Sequence, residues 1–91
     1  MKTISEERKE VSRACMVVAV RHALLTAMTH TASTFADIAR KSSRSEKSVR
    51  RSIMGTGTLD LNTISDLFLA AGCEPDFSLV RLPEPPVGTD E

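Results

Sequence analysis

Thr34-Phe35-Ala36-Asp37-Ile38-Ala39-Arg40-Lys41-Ser42-Ser43-Arg44-Ser45-Glu46-Lys47-Ser48-Val49-Arg50-Arg51-Ser52-Ile53-Met54 is the stretch on which the reading of the chain turns. It contains neither Gly nor Pro, and two hydroxyl residues stand where helices begin. Thr34 precedes apolar residues at Phe35, Ile38 and Ala39, a spacing of i, i+3, i+4 that predicts a short helix over Phe35–Lys41. Ser42-Ser43-Arg44 reads as a tight connection. Ser45 then caps a second short helix, Glu46–Met54, which Gly55-Thr56-Gly57 brings to an end. Ala39 is small enough to let the two helices touch, and Val49 is the apolar anchor of the second. Around that anchor Glu46, Lys47, Ser48, Arg50 and Arg51 are all polar.

On the N-terminal side, Ser5 is a plausible cap with Glu6 and Glu7 in the first turn, where the helix dipole favours acids. Val11, Ala14, Cys15, Val17, Val18, Leu24, Leu25 and Met28 recur at three- and four-residue steps, so a helix is expected from Ser5 to about Met28. Thr29 to Ser33, β-branched and hydroxyl-rich, reads as a loop. Cys15 is expected as a reduced, buried thiol, and Met16, Met28 and Met54 as packing residues. The wide apolar face from Ala14 to Val20 implies burial on several sides, in the core or at a subunit contact. Downstream, Leu61–Ala71 is expected as a fourth helix with Leu61, Ile64, Leu67, Phe68 and Ala71 on one face and Asp60 or Asn62 at its start. Gly72 closes it and Pro75 prevents its continuation. Phe77–Leu82 has the composition of one strand, without a partner inside a helical chain. Pro83 to Glu91 is expected to be disordered. The division is therefore a helical domain over residues 1–73 and an extended tail over 74–91.

Ninety-one residues and 9.9 kDa fit one small core. Aromatics make up 3%, with no Trp or Tyr, which excludes binding of single strands by stacked bases. Cys15 and Cys73 lie far apart, and His22 and His30 lack partners at zinc-finger spacing, so no metal and no cofactor are expected. No Gly-rich phosphate loop, nucleophile elbow or convergent carboxylate pair occurs, so the chain does not read as an enzyme. The longest apolar run, Ala14–Val20, falls short of the roughly 20 residues of a membrane span. A cytoplasmic protein without membrane contact is expected. The formal net charge of zero hides a polarity. Residues 34–57 carry Arg40, Lys41, Arg44, Lys47, Arg50 and Arg51 against Asp37 and Glu46, whereas residues 58–91 carry Arg81 against seven acids. A basic middle in a neutral chain points to a nucleic-acid partner.

Two short helices joined by a turn, the second basic, form a helix-turn-helix candidate. The run Ile38 to Val49, continued through Gly55, Leu61, Thr63, Ile64, Leu67, Ala70 and Gly72, resembles the Xre/Cro/CI repressor family over about residues 34–73. The resemblance implies an all-α, compact bundle of four to five helices, lambda-repressor-like, with a short extended or strand tail. It departs from the family at Ser43, where Gly is usual, and at Phe35, where many members carry Gln. Ser52 stands at a usually apolar position and Ile53 at a usually outward one, so either the end of the helix repacks or Ile53 meets a partner. The implied function is sequence-specific binding of double-stranded DNA as a transcriptional regulator, in the sense of a repressor. Glu46–Met54 would be the recognition helix, and Thr34, Arg44, Ser45, Glu46, Lys47, Ser48, Arg50 and Arg51 the DNA-binding residues. Lys47 and Arg51 suit guanine edges, whereas Arg50 and Ser45 suit phosphates. Glu46 suits a cytosine amino group or the helix start, and Arg44 and Lys41 add general electrostatics. A homodimer is expected, joined through Phe77–Leu82 or through Leu69, Ala70 and Ala71. The alternative is a protein-interaction module on the same fold, an antitoxin or anti-activator whose partner is a toxin or an activator.

Overall fold

The computed structural model describes residues 3–55, 59–77, 79 and 81–83. It is all-α, with four helices in the order α1 (Glu6–Thr31), α2 (Phe35–Ser42), α3 (Glu46–Met54) and α4 (Leu61–Ala70). All four begin at a hydroxyl or carboxylate cap, and each cap accepts a backbone N–H three residues on. Arg8 N–H donates to Ser5 (3.1 Å), Asp37 N–H to Thr34 (3.1 Å), Ser48 N–H to Ser45 (3.1 Å) and Thr63 N–H to Asp60 (2.7 Å). Asp60, rather than Asn62, is thus the start of α4. These bonds satisfy donors that have no acceptor inside the helix.

Three helix ends share one closure. Ala32 (φ 54°), Ser43 (φ 57°) and Gly72 (φ 77°) are left-handed. The following N–H reaches back five residues each time: Ser33 to Met28 O, Arg44 to Ala39 O and Cys73 to Phe68 O, all at 2.9 Å. This is the Schellman arrangement, and only the last of the three uses glycine.

The core joins Leu24, Ala27 and Met28 of α1, Ile38 and Ala39 of α2, Val49 and Ile53 of α3, and Leu67, Phe68 and Ala70 of α4, with Ala71 just beyond. Val20, Phe35, Ile64 and Cys73 pack partly against it. Every buried α1 residue lies in its C-terminal half. The reason is length: α1 runs about 39 Å, whereas helices of eight to ten residues reach only about 12–15 Å. The first half of α1 therefore runs past its neighbours, and the molecule measures 51 × 23 × 18 Å.

That mismatch corrects several expectations. Cys15 is exposed rather than buried, and Cys73 is half-buried. Met16 and Met54 stand in solvent, and only Met28 packs. Leu61, placed on the core face of α4 by its spacing, is exposed at the first position of that helix. Thr29 and Thr31 belong to α1, not to a loop, because their hydroxyls donate to Leu25 O and Ala27 O (both 2.9 Å) and bond within the helix instead of interrupting it. α1 is also long and apolar enough to cross a membrane by length and composition, since its charged residues gather before Ala14 and Arg21 alone follows, although Leu24, Ala27 and Met28 are committed to the core.

No strand occurs among the described residues. Phe77, Leu79, Arg81 and Leu82 of the expected strand are described and exposed, while Ser78 and Val80 lie outside the described residues. So do Thr56, Gly57 and the segment Glu84–Glu91.

Candidate nucleic-acid interface

The pair α2–α3 is assembled by local chemistry at each end. Thr34 and Asp37 form a reciprocal capping box, in which the Thr34 N–H donates to Asp37 Oδ2 (2.9 Å) while the Asp37 N–H returns to Thr34 Oγ1. The Thr34 N–H holds the Asp37 carboxyl below its ordinary pKa of 3.8, with a second contribution from the Thr34 side chain. Thr34 is thus engaged in starting α2. At the other end Ser43 turns the chain, and Ser42 Oγ donates to Ile38 O (2.7 Å), satisfying a hydroxyl inside the turn. Ser45 then starts α3.

Where the helices cross, Ile38 and Val49 are fully buried and Ala39 nearly so. A larger side chain at Ala39 would push α3 away. Ser52 and Ile53 are both buried, so the end of α3 repacks inside the monomer and Ile53 is not offered to a partner. Arg21 of α1 reinforces this by donating from Nε to Ser52 O (3.1 Å).

With Val49, Ser52 and Ile53 turned inward, the helical repeat turns Lys47, Arg51 and Met54 outward, at i, i+4 and i+7. All three are exposed. Lys47 and Arg51 have no ion-pair partner among the described residues. Met54 is the residue that sequence reasoning missed on this face; its i+3 relation to Arg51 was the available signal.

The flanking charges are paired. Arg50 Nη2 lies 2.7 Å from Glu46 Oε2, one turn apart, and its guanidinium stacks 4.6 Å above the centroid of Phe35. The aromatic side chain thereby fixes Arg50 between two helices. Glu46 both occupies the first turn of α3 and holds Arg50. Arg44 turns toward α4 and pairs with Asp66 at 2.8 Å, with its side chain 29% exposed and its Nε buried without a hydrogen-bond partner among the described residues. Arg40 lies 3.5 Å from Asp37. Ser45 is exposed and Ser48 half-buried at the start of α3. Of the eight residues singled out from sequence, Ser45, Glu46, Lys47, Ser48, Arg50 and Arg51 share one helix and its cap, Thr34 begins the preceding helix, and Arg44 faces α4.

The arrangement offers a rigid helix with hydrogen-bond donors at the centre of its exposed face and charge-paired arginines on the margins. No group of three or more His, Cys, Asp or Glu side chains placed to hold a metal occurs among the described residues. No protein-family model, curated protein or solved structure matches the chain.

Proposed function

We propose that this chain binds double-stranded DNA in a sequence-specific manner, as a cytoplasmic transcriptional regulator of the repressor type, acting as a homodimer. The architecture we assign is lambda-repressor-like, with α2 lying across the sugar–phosphate backbone and α3 in the major groove. The observation that carries the reading is the face of α3. Its anchor residues are wholly inward, and Lys47 and Arg51 are outward and without an ion-pair partner among the described residues, on a helix that follows a Schellman turn. Either side chain can donate to guanine O6 and N7, each good base contact being worth about 1–3 kcal/mol of discrimination. The exposed Met54 extends the face with an apolar contact suited to a thymine methyl group. Ser45 and the exposed cations Lys41 and Arg40 suit phosphates.

Selection of bound duplexes from a random pool, followed by footprinting, tests this. A single recurrent motif read through α3 is the expected outcome, and recovery of no preferred sequence would refute it. The second reading, a module that captures a toxin or an activator, draws on a different observation: Phe77 and Leu79 are 82% and 99% exposed beyond α4. Replacement of both by Ser would abolish such capture while leaving DNA selection intact.

A further inference from the structure

We infer that the outer face of α1 is a docking surface for the α1 of a second copy of this chain, and that the two helices meet antiparallel about Val18. The first half of α1 contains no buried residue, although helices of that length are marginal in water without packing. Met16 and Val17 are exposed off to the sides, but the other exposed apolar residues form a line. Val11, Cys15, Val18, His22 and Leu25 follow steps of four, three, four and three residues, the 3.5-residue spacing of a coiled-coil seam. All five are exposed, with Val11 at 50%, Val18 at 67% and Leu25 at 37%. Ala14, Cys15, Val18, Ala19 and His22 line one shallow apolar concavity on that face.

Several features select a second copy as the occupant. The seam opposes the face that carries Leu24, Ala27 and Met28, so it is open while the bundle remains intact. Between Val11 and Leu25 it carries no carboxylate, ammonium or guanidinium group, so two copies meet without like-charge repulsion. Its flanks are short at Ser12, Ala14, Ala19 and Thr26 and permit close approach there, and Arg21, the one long flanking side chain, is drawn off toward the carbonyl of Ser52. The seam is centred on Val18, close to the midpoint of Glu6–Thr31, so antiparallel pairing about Val18 overlaps the two helices along nearly their whole length. That register sets Val11 opposite Leu25 and the acidic first turn, Glu6 and Glu7, beside His30 of the partner subunit. Antiparallel dipoles also favour it, and a two-fold axis through Val18 makes the patch self-complementary. A membrane span fits less well: the same helix is anchored through Arg21 to the carbonyl of Ser52 and through its inner face to the core.

The pairing deepens the DNA-binding reading, which needs two reading helices, but its test does not depend on DNA. Sedimentation velocity of the full chain at tens of micromolar is expected to give a dimer. Val18→Glu alters an exposed side chain and should leave the circular-dichroism spectrum unchanged while weakening self-association by about a hundred-fold or more, because the two-fold pairing loses two buried Val side chains, one from each copy. Phe77→Ser/Leu79→Ser should remain dimeric. For orientation, Val18→Cys in a Cys15→Ser/Cys73→Ser background should form an intermolecular disulfide under mild oxidation, whereas Cys15 of the unaltered chain should not. A monomeric wild type, a dimeric Val18→Glu variant, or a monomer that floats with phosphatidylcholine/phosphatidylglycerol vesicles would overturn the inference. Efficient cross-linking through Cys15 but not through Val18→Cys would overturn the antiparallel register. A dimer that selects no DNA sequence would refute the DNA reading and leave this interface standing.

Discussion

Ser43 is held at φ 57°, ψ 39° in the turn between α2 and α3, and replacing it with Gly isolates what that conformation costs. A non-glycine residue in the left-handed region is disfavoured by roughly 1–2 kcal/mol, from the approach of Cβ to a carbonyl oxygen. Against this, Gly loses more backbone entropy on folding, about 0.5–1 kcal/mol relative to Ala. The Ser43 side chain is exposed, so its removal sacrifices no packing. Both backbone bonds of the turn, Ser43 N–H to Arg40 O (3.4 Å) and Arg44 N–H to Ala39 O (2.9 Å), survive the change. The net gain expected is about 0.5–1 kcal/mol, which for a chain of this size raises the midpoint of thermal unfolding by about 2–8 °C. Thermal and urea melts followed by circular dichroism at 222 nm measure it. Ser43→Val supplies the opposite sign, because a β-branched residue is a poor occupant of that region. Loss of stability in Ser43→Gly, or equal stability of the Gly and Val variants, would show that the turn is not left-handed at this residue.

Val49→Ala should destabilise the fold by about 1–3 kcal/mol, since the side chain is fully buried at the α2–α3 crossing; urea unfolding measures this, and a loss under 0.5 kcal/mol would contradict the crossing described. Arg51→Ala should cost about 1–3 kcal/mol in operator binding and relax preference at one base pair, whereas Lys41→Ala should weaken binding to all sequences alike; gel-shift titration against operator variants separates them. The Asp37 carboxyl has a folded-state pKa below 3.8, so the ionised form stabilises the folded chain above about pH 4. That contribution falls away as pH drops through the lowered folded value. Asp37→Asn should therefore flatten the acid limb of the stability curve below about pH 4, and an unchanged limb would exclude the capping box as its source.

Residues whose partners lie within one helical turn were legible from sequence. Ser5, Thr34 and Ser45 were recognisable as caps because each bonds only three residues away, and the inward placement of Ala39 and Val49 followed from spacing alone. The sequence does not choose between Asp60 and Asn62, because both are competent caps. What sequence did not disclose was length against coverage. The repeat of apolar residues along α1 is the same whether a neighbour covers it or not, so Cys15 and Met16 read as interior and are exposed. Thr29–Thr31 read as a loop from β-branching, and the helix continues because their hydroxyls bond back one turn. In the candidate interface Lys47 and Arg51 were legible as outward on α3, whereas Met54 was not and the electrostatics only partly so. Arg50–Glu46 is a four-residue pair, whereas Arg44–Asp66 spans 22 residues and Phe35–Arg50 bridges two helices. Neither of the last two has a local signature.

The carboxylates beside Arg40, Arg44 and Arg50 bear on how binding would respond to ionic strength. A cation that leaves Asp37, Asp66 or Glu46 for a phosphate frees one condensed counterion from the duplex but exposes a carboxylate that recruits a cation of its own. Such an exchange contributes almost nothing to net ion release. Among the basic residues of this segment, Lys41, Lys47 and Arg51 have no ion-pair partner among the described residues and would reach a polyanion without giving up a protein acid. At about 0.9 ions per neutralised phosphate, each protomer would release at most about three ions, fewer where Lys47 and Arg51 engage base edges instead, and so no more than half of what the six basic residues of this segment suggest. Its grip on arbitrary duplex would therefore be weak at cellular salt, and a larger share of the binding free energy would fall to the base edges, where one sequence differs from another.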